Sequence, residues 1–129
     1  MTIEDLEQLR GIRAEIRMLK QRIEELDELL LPGMGTDGVH SQNPSSPVEN
    51  HVRQKLELEE RLRNKLRELE REISVIDDWL QTVDDPQIRA IVQGRYIIGW
   101  GWRKVAREVY GAHVHRTTPY KALRKYCEK

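Results

Sequence analysis

The residues with the most chemistry to offer lie in the last third of the chain, PQIRAIVQGRYIIGWGWRKVAREVYGAHVHRTTPYKALRKYCEK, residues 86 to 129. Arg103, Lys104, Arg107, Arg116, Lys121, Arg124, Lys125 and Lys129 surround two short helical patterns there, Trp102 to Tyr110 and Thr118 to Tyr126, with a bend at Gly111 between them. Val105, Ala106 and Val109 make a narrow apolar stripe on the first pattern, and Tyr120, Leu123 and Cys127 do so on the second, so the remaining faces are basic. Two short amphipathic helices joined through a glycine form a helix-turn-helix pattern, in which a small residue such as Ala106 lets the second helix cross closely over the first. Cations around such a pair suit a polyanion, and duplex DNA is the expected partner. Thr118, Lys121, Ala122 and Lys125 are expected on the groove-facing side of the second helix, with Arg103, Lys104, Arg107, Arg116, Arg124 and Lys129 meeting phosphates.

Other chemistries find little support in the residue pattern. His113, His115 and Cys127 would have to supply a metal site, but a structural zinc site needs four ligands at suitable spacing, and neither a CxxC nor an HxxxH accompanies them. No metal and no cofactor are expected. The acids sit on heptad flanks and no Ser/His/Asp or Cys/His grouping can be placed in a pocket, so an enzyme is not expected. The glycines of GMGTDG are followed by no Gly-Lys-Ser/Thr and preceded by no strand, both of which a phosphate-binding loop requires. Trp79, Trp100 and Trp102 are expected to pack the head against the rest of the chain rather than to stack on bases.

The positioning elements begin with a division of charge. Of 129 residues, 34% are charged and the formal net charge is zero, yet residues 1–83 carry 12 basic and 18 acidic side chains and residues 84–129 carry 10 basic and 4 acidic ones. A balance of −6 against +6 describes a basic module on an acidic stalk. Within the stalk, Leu9, Ile12, Ile16, Leu19, Ile23, Leu26 and Leu30 recur at alternating steps of three and four, as do Leu62, Leu66, Leu69, Ile73, Ile76, Leu80 and Val83. Both are heptad seams of the coiled-coil type. Thr2 and Asp5 suggest a cap for the first helix, Pro32-Gly33 ends it, and a Gly-, Ser-, Asn- and Pro-rich connector at about 32–50 leads to a second helix from about Val48 to Thr82.

Matched lengths, and a connector that could join parallel helices only if drawn out nearly straight, favour an antiparallel hairpin, and apolar residues off the seam favour burial against the same hairpin of another chain, giving a homodimeric four-helix bundle. The fold expected is therefore all-α: a long helical hairpin for dimerisation over 1–83, and a helix-turn-helix DNA-binding domain over 84–129. Asp85 before Pro86 marks the start of the latter, and Ile88, Ile91, Val92, Tyr96 and Ile97 should form a helix beneath the pair. One cysteine excludes an intrachain disulfide, no run of 18 apolar residues is present, and MTIEDLEQLR lacks the order of a signal peptide. A cytoplasmic protein without membrane contact is expected.

The order Asp-Pro, apolar helix, RYIIGWGW, KVA, Gly, Thr-Thr, helix resembles region 4 of bacterial sigma factors and, more closely, small phage and prophage proteins of the ArpU-like late transcription regulator kind. Their motif commonly runs Tyr-x-x-Gly-x-Ser-Trp-x-x-[Ile/Val]-Ala, and Tyr96, Gly99, Trp102, Val105 and Ala106 stand at the corresponding positions. Gly101 stands where those proteins carry a capping Ser/Thr, and Gly111 follows Ala106 by five residues rather than four. The resemblance implies a DNA-binding transcription regulator that could also contact RNA polymerase. Two other functions remain open from the sequence: a phage DNA-packaging subunit of the small-terminase type, and a coiled-coil adaptor that binds a protein partner such as RNA polymerase.

Overall fold

The computed structural model describes residues 1–30 and 47–128. All of its regular structure is helical, with no strand among the described residues. The helices are α1 (Ile3–Leu29), α2 (Pro47–Leu80), α3 (Pro86–Val92), α4 (Trp102–Val109) and α5 (Thr117–Cys127), with a π-helical turn, Gln93–Ile98, continuing α3. Most of the connector expected at about 32–50 lies outside the described residues. Residues 47–50 of it are helical instead, because Pro47, whose fixed φ suits a first helical position, opens α2.

Each helix start has a local cause. Thr2 and Asp5 cap α1 reciprocally: the Thr2 N–H donates to Asp5 Oδ2 at 2.9 Å and the Asp5 N–H to Thr2 Oγ1 at 3.1 Å. The Thr2 backbone N–H first, and the Thr2 hydroxyl after it, hold the Asp5 carboxyl below its ordinary range. At α3, Asp85 is extended and its Oδ1 accepts from the Gln87 N–H at 2.9 Å, with Pro86 following. Arg89 reaches back to the Val83 carbonyl at 2.7 Å, which fixes the stretch between α2 and α3.

The chain forms two compact units, one of Met1–Ile12 with Leu69–Lys129 and the other of Arg13–Glu68. In the first, Leu6, Leu9, Ile76, Leu80, Val83, Ile88, Ile91, Val92, Tyr96, Val105 and Leu123 form a continuous buried cluster. At roughly 1.5–3 kcal/mol for each fully buried aliphatic or aromatic side chain, this cluster dominates the stability of the unit. Trp79, Trp100 and Trp102 pack against it half-buried. Trp79 meets Tyr126 edge-on at 6.3 Å, and Trp102 lies between Tyr96 at 6.3 Å and Tyr120 at 5.6 Å.

The second unit is thinner. Ile16, Leu19 and Leu58 are its buried apolar residues among those described, while Ile23, Leu26 and Leu62 on the same seams are only half-buried. Lys55 pairs with Asp27 and Lys65 with Glu15, so residue numbers rise along α2 as they fall along α1 in the paired stretches. The lysine pKa values are raised accordingly, Lys55 chiefly by Asp27 and Lys65 by Glu68 and then Glu15.

Candidate nucleic-acid interface

The platform beneath the basic residues is built from the π turn. Gly94 carries no side chain where Trp100 needs room: a Cβ there would lie 2.7 Å from the indole ring. The Gly94 carbonyl accepts from both the Gly99 N–H at 3.0 Å and the Trp100 N–H at 2.8 Å, and Gly99 closes the turn at φ 97°. The bond across five residues that defines the wider turn therefore reverses the chain at a position only glycine adopts readily. Arg95, 8% exposed, donates from Nη1 to the Trp100 carbonyl at 3.1 Å and stacks 4.6 Å from the centre of the Trp102 ring. Burial first, and Arg10 next, lowers its pKa. Tyr96 is fully buried, and its hydroxyl donates to Glu7 Oε1 at 3.0 Å. Burial, then the Glu7 carboxylate, raises the pKa of that phenol well above its usual value.

α4 rises from this platform with Val105 and Ala106 fully buried. Its N-cap is Gly101, which supplies no side-chain bond to the first turn. Gly111, at φ 122°, ends it by donating its N–H to the Ala106 and Arg107 carbonyls at 3.2 and 3.0 Å, a left-handed glycine cap. The following turn is held by His115. Its Nδ1 accepts from the Thr117 N–H at 3.2 Å and lies 2.9 Å from the Thr117 hydroxyl, and its carbonyl accepts from the Thr118 N–H at 3.0 Å.

α5 begins one residue earlier than the pattern suggests and is rotated from the expected stripe. Pro119 and Leu123 are its buried residues, with Ala122, Tyr126 and Cys127 half-buried against the core, whereas Tyr120 is 36% exposed beside Trp102. Helical geometry accounts for the difference, since positions 119, 122, 123 and 126 share one side and Tyr120 stands one residue off it. Ala122 thus packs on the core, one position from Leu123, rather than on the outer face. Thr118 is half-buried on the same flank, and the exposed hydroxyl at the helix start belongs to Thr117.

Of the other basic residues expected at DNA, those among the described residues are exposed. Lys121, Arg124 and Lys125, three and four positions apart, share the outer face of α5, with Arg116 just before its first turn; Arg103 and Arg107 share one side of α4. Arg124 is paired with Glu128 at 3.0 Å and Arg107 approaches Glu108 at 3.9 Å. The Lys104 ammonium sits over the Trp100 ring at 4.9 Å. Among the described residues no acid pairs with Arg103, Arg116, Lys121 or Lys125. Lys129 lies outside the described residues. Arg95, Glu7 and His115 were not legible as members of this region; buried arginine runs against the usual distribution of residues, and the Glu7 contact spans 89 positions of sequence.

Among the described residues, no helix is long and apolar enough to cross a membrane. Comparison with protein-family models, with curated proteins and with solved structures finds no match for this chain.

Proposed function

We propose that this chain is a DNA-binding transcription regulator of phage or prophage type. On this reading α1 and α2 form an antiparallel hairpin for association within residues 1–83. α4 and α5 form a helix-turn-helix within residues 84–129, with α5 lying in the major groove. The observation that supports it most directly is the outer face of α5, where Lys121, Arg124 and Lys125 are exposed while the opposite face is anchored by Pro119 and Leu123. A rigid helix that presents cations in a row can bring them to phosphates and base edges together, which mobile surface lysines do poorly. Arg103, Lys104, Arg107 and Arg116 extend the positive surface beyond α5, for phosphate contact.

The test is titration of the full chain against a duplex selected from a random pool and against unselected duplex, at several salt concentrations. Lys121→Ala is expected to cost about 1–3 kcal/mol on the selected duplex and little on the other, as loss of a base contact does. Arg103→Ala should weaken both together and reduce the slope of log K against log salt by roughly one unit. Absence of salt-dependent binding to any duplex would refute the proposal and favour the protein-adaptor reading.

A further inference from the structure

Tyr120, which its spacing puts on the inner stripe of α5, stands instead on the outer side, beside Thr117, Lys121 and Arg124 at helical intervals. Together with Trp102, Arg116 and Thr117 it lines an open cleft whose walls are almost wholly apolar. The Tyr120 ring meets the Trp102 indole edge-on at 5.6 Å, and buried Arg95, 4.6 Å from the centre of that indole, braces it from within the fold. The Thr117 hydroxyl lies 2.9 Å from His115 Nδ1, which leaves the Thr117 methyl group as its contribution to the wall. Arg116 adds its methylene stem. The charge around this cleft is one-sided. Arg116 and Lys121 pair with no acid among the described residues, whereas further along α5 Arg124 is paired with Glu128 and shares a polar cleft with Glu4. A polyanion therefore meets uncompensated cations at the start of α5 and mixed charge toward its end.

We infer that Tyr120 and Trp102 form a receptor for the C5-methyl group of a thymine, which makes Tyr120 a specificity-determining residue of the duplex-binding face. The inference rests on the DNA-binding function proposed above and names what that face selects. Cations bring DNA to the start of α5, but phosphate oxygens seek hydrogen-bond donors and the aromatic walls of the cleft offer none. The apolar group that base edges present in the major groove is the thymine methyl. Tyr120 shares its side of α5 with Lys121, so a helix laid in the groove brings the ring and the ammonium to neighbouring base edges, with the Arg116 guanidinium free to meet a flanking phosphate. Because Trp102 and Arg95 already hold the ring from behind, little side-chain freedom is lost on contact. Burial of one methyl group against it is worth about a three- to fivefold change in affinity.

Titration of the full chain against the selected duplex, with each thymine replaced singly by uracil, tests the inference. Uracil keeps every hydrogen bond of thymine and lacks only the methyl group. At one position the replacement should weaken binding about three- to fivefold, and at the others by less than about twofold. Tyr120→Phe, which keeps the ring, should preserve that difference. Tyr120→Ala should abolish it, so that the thymine and uracil duplexes bind alike, while circular dichroism retains the helical signal of the parent. Salt-dependent binding that no uracil replacement disturbs would overturn the inference and leave the proposed function standing, as would a thymine preference that survives Tyr120→Ala. Equal weakening of every duplex, selected or not, by Tyr120→Ala would put a backbone sugar in the cleft and overturn it too. Absence of binding to any duplex would overturn the proposed function and this inference with it.

Discussion

Leu9 and Ile76 belong to the same heptad seams as Ile23 and Leu62, yet the first two are 0% and 2% exposed and the other two are only half-buried. The repeat is equally regular in both places, so it does not set the depth of burial. What differs is the company. In the unit that contains Leu9 and Ile76, α3, α4 and α5 add Ile91, Tyr96, Val105 and Leu123 to the same cluster. Among the described residues of the unit of Arg13–Glu68, the seam has two helices and nothing more. A heptad specifies which side of a helix is apolar; how much water leaves that side depends on whether a further layer covers it.

The sharpest way to break this comparison is to truncate the same residue type in both places. Ile91→Ala removes a side chain with no exposure and should cost about 2–5 kcal/mol, because a close-packed core relaxes only in part into the space left. Ile23→Ala, at a half-wet seam position, should cost about 1 kcal/mol, since much of its surface already meets solvent. Urea unfolding of the two variants measures the difference. Equal losses would mean that the seam of the second unit is as dry as the core of the first.

Two glycines carry the contrast further, with opposite signs. Gly94→Ala drives a methyl group into the Trp100 ring and should destabilise by about 1–3 kcal/mol, as overpacking does. Gly11 sits exposed within α1 with nothing within 4 Å of its absent Cβ, so Gly11→Ala should stabilise by about 0.5–1 kcal/mol through helix propensity alone. Thermal melting of both variants reads the signs directly. A gain at Gly94 would show that the indole is free to move and that the π turn is not braced by it.

How much of this was legible beforehand follows the range of the interactions. Periodicity placed α1 and α2 within a few residues, and the Asp85-Pro86 start of α3 was legible because a cap is a contact between near neighbours. The π turn was not: it depends on Gly94 leaving room for the Trp100 ring, where a Cβ would clash, and no helical period records that. Nor was the rotation of α5, where counting Tyr120 as apolar put it on the inner stripe, although its ring finds an edge contact with Trp102 while remaining open to water. Among the expected DNA-contacting residues, the exposed cations on α4 and α5 followed from composition and spacing. Ala122 and Thr118 did not, because their places depend on that rotation.

Tyr96 offers a pH-dependent handle on the first unit. Its buried hydroxyl donates to Glu7, whose carboxylate is about two-fifths exposed, so water can replace the lost donor in part. Tyr96→Phe should therefore cost about 1 kcal/mol near neutral pH, below the usual figure for a bond to a buried charged group. The raised phenol pKa fixes the sign of the alkaline response. The neutral form is favoured in the folded chain, so its contribution is complete below the ordinary tyrosine range near 10 and is lost as pH rises above it. Unfolding free energies on either side of that range should converge for Tyr96→Phe and the parent as pH rises; a constant gap would mean that Tyr96 does not govern the alkaline limb.

The smallest expected effect concerns helix starts. α1 is closed by the reciprocal Thr2 and Asp5 bonds, whereas α4 starts at Gly101 with no side-chain oxygen for its first turn. The backbone of Gly101 is already extended, at φ −71° and ψ 160°, and a Cβ there meets nothing within 4 Å. Serine can be accommodated without strain, and its Oγ can accept from the N–H of Arg103 or Lys104. Because glycine is itself a tolerable N-cap, Gly101→Ser should gain only a few tenths of a kcal/mol, seen as a slight rise in the unfolding midpoint. Arg95 stacked on Trp102 and Val105 buried in the core already fix the direction of α4, so, on the DNA-binding function proposed above, the new cap should leave affinity for duplex unchanged. A substantial change in affinity would instead mean that the entry to α4 is loosely held and that the cap, rather than the platform beneath it, aims the basic face.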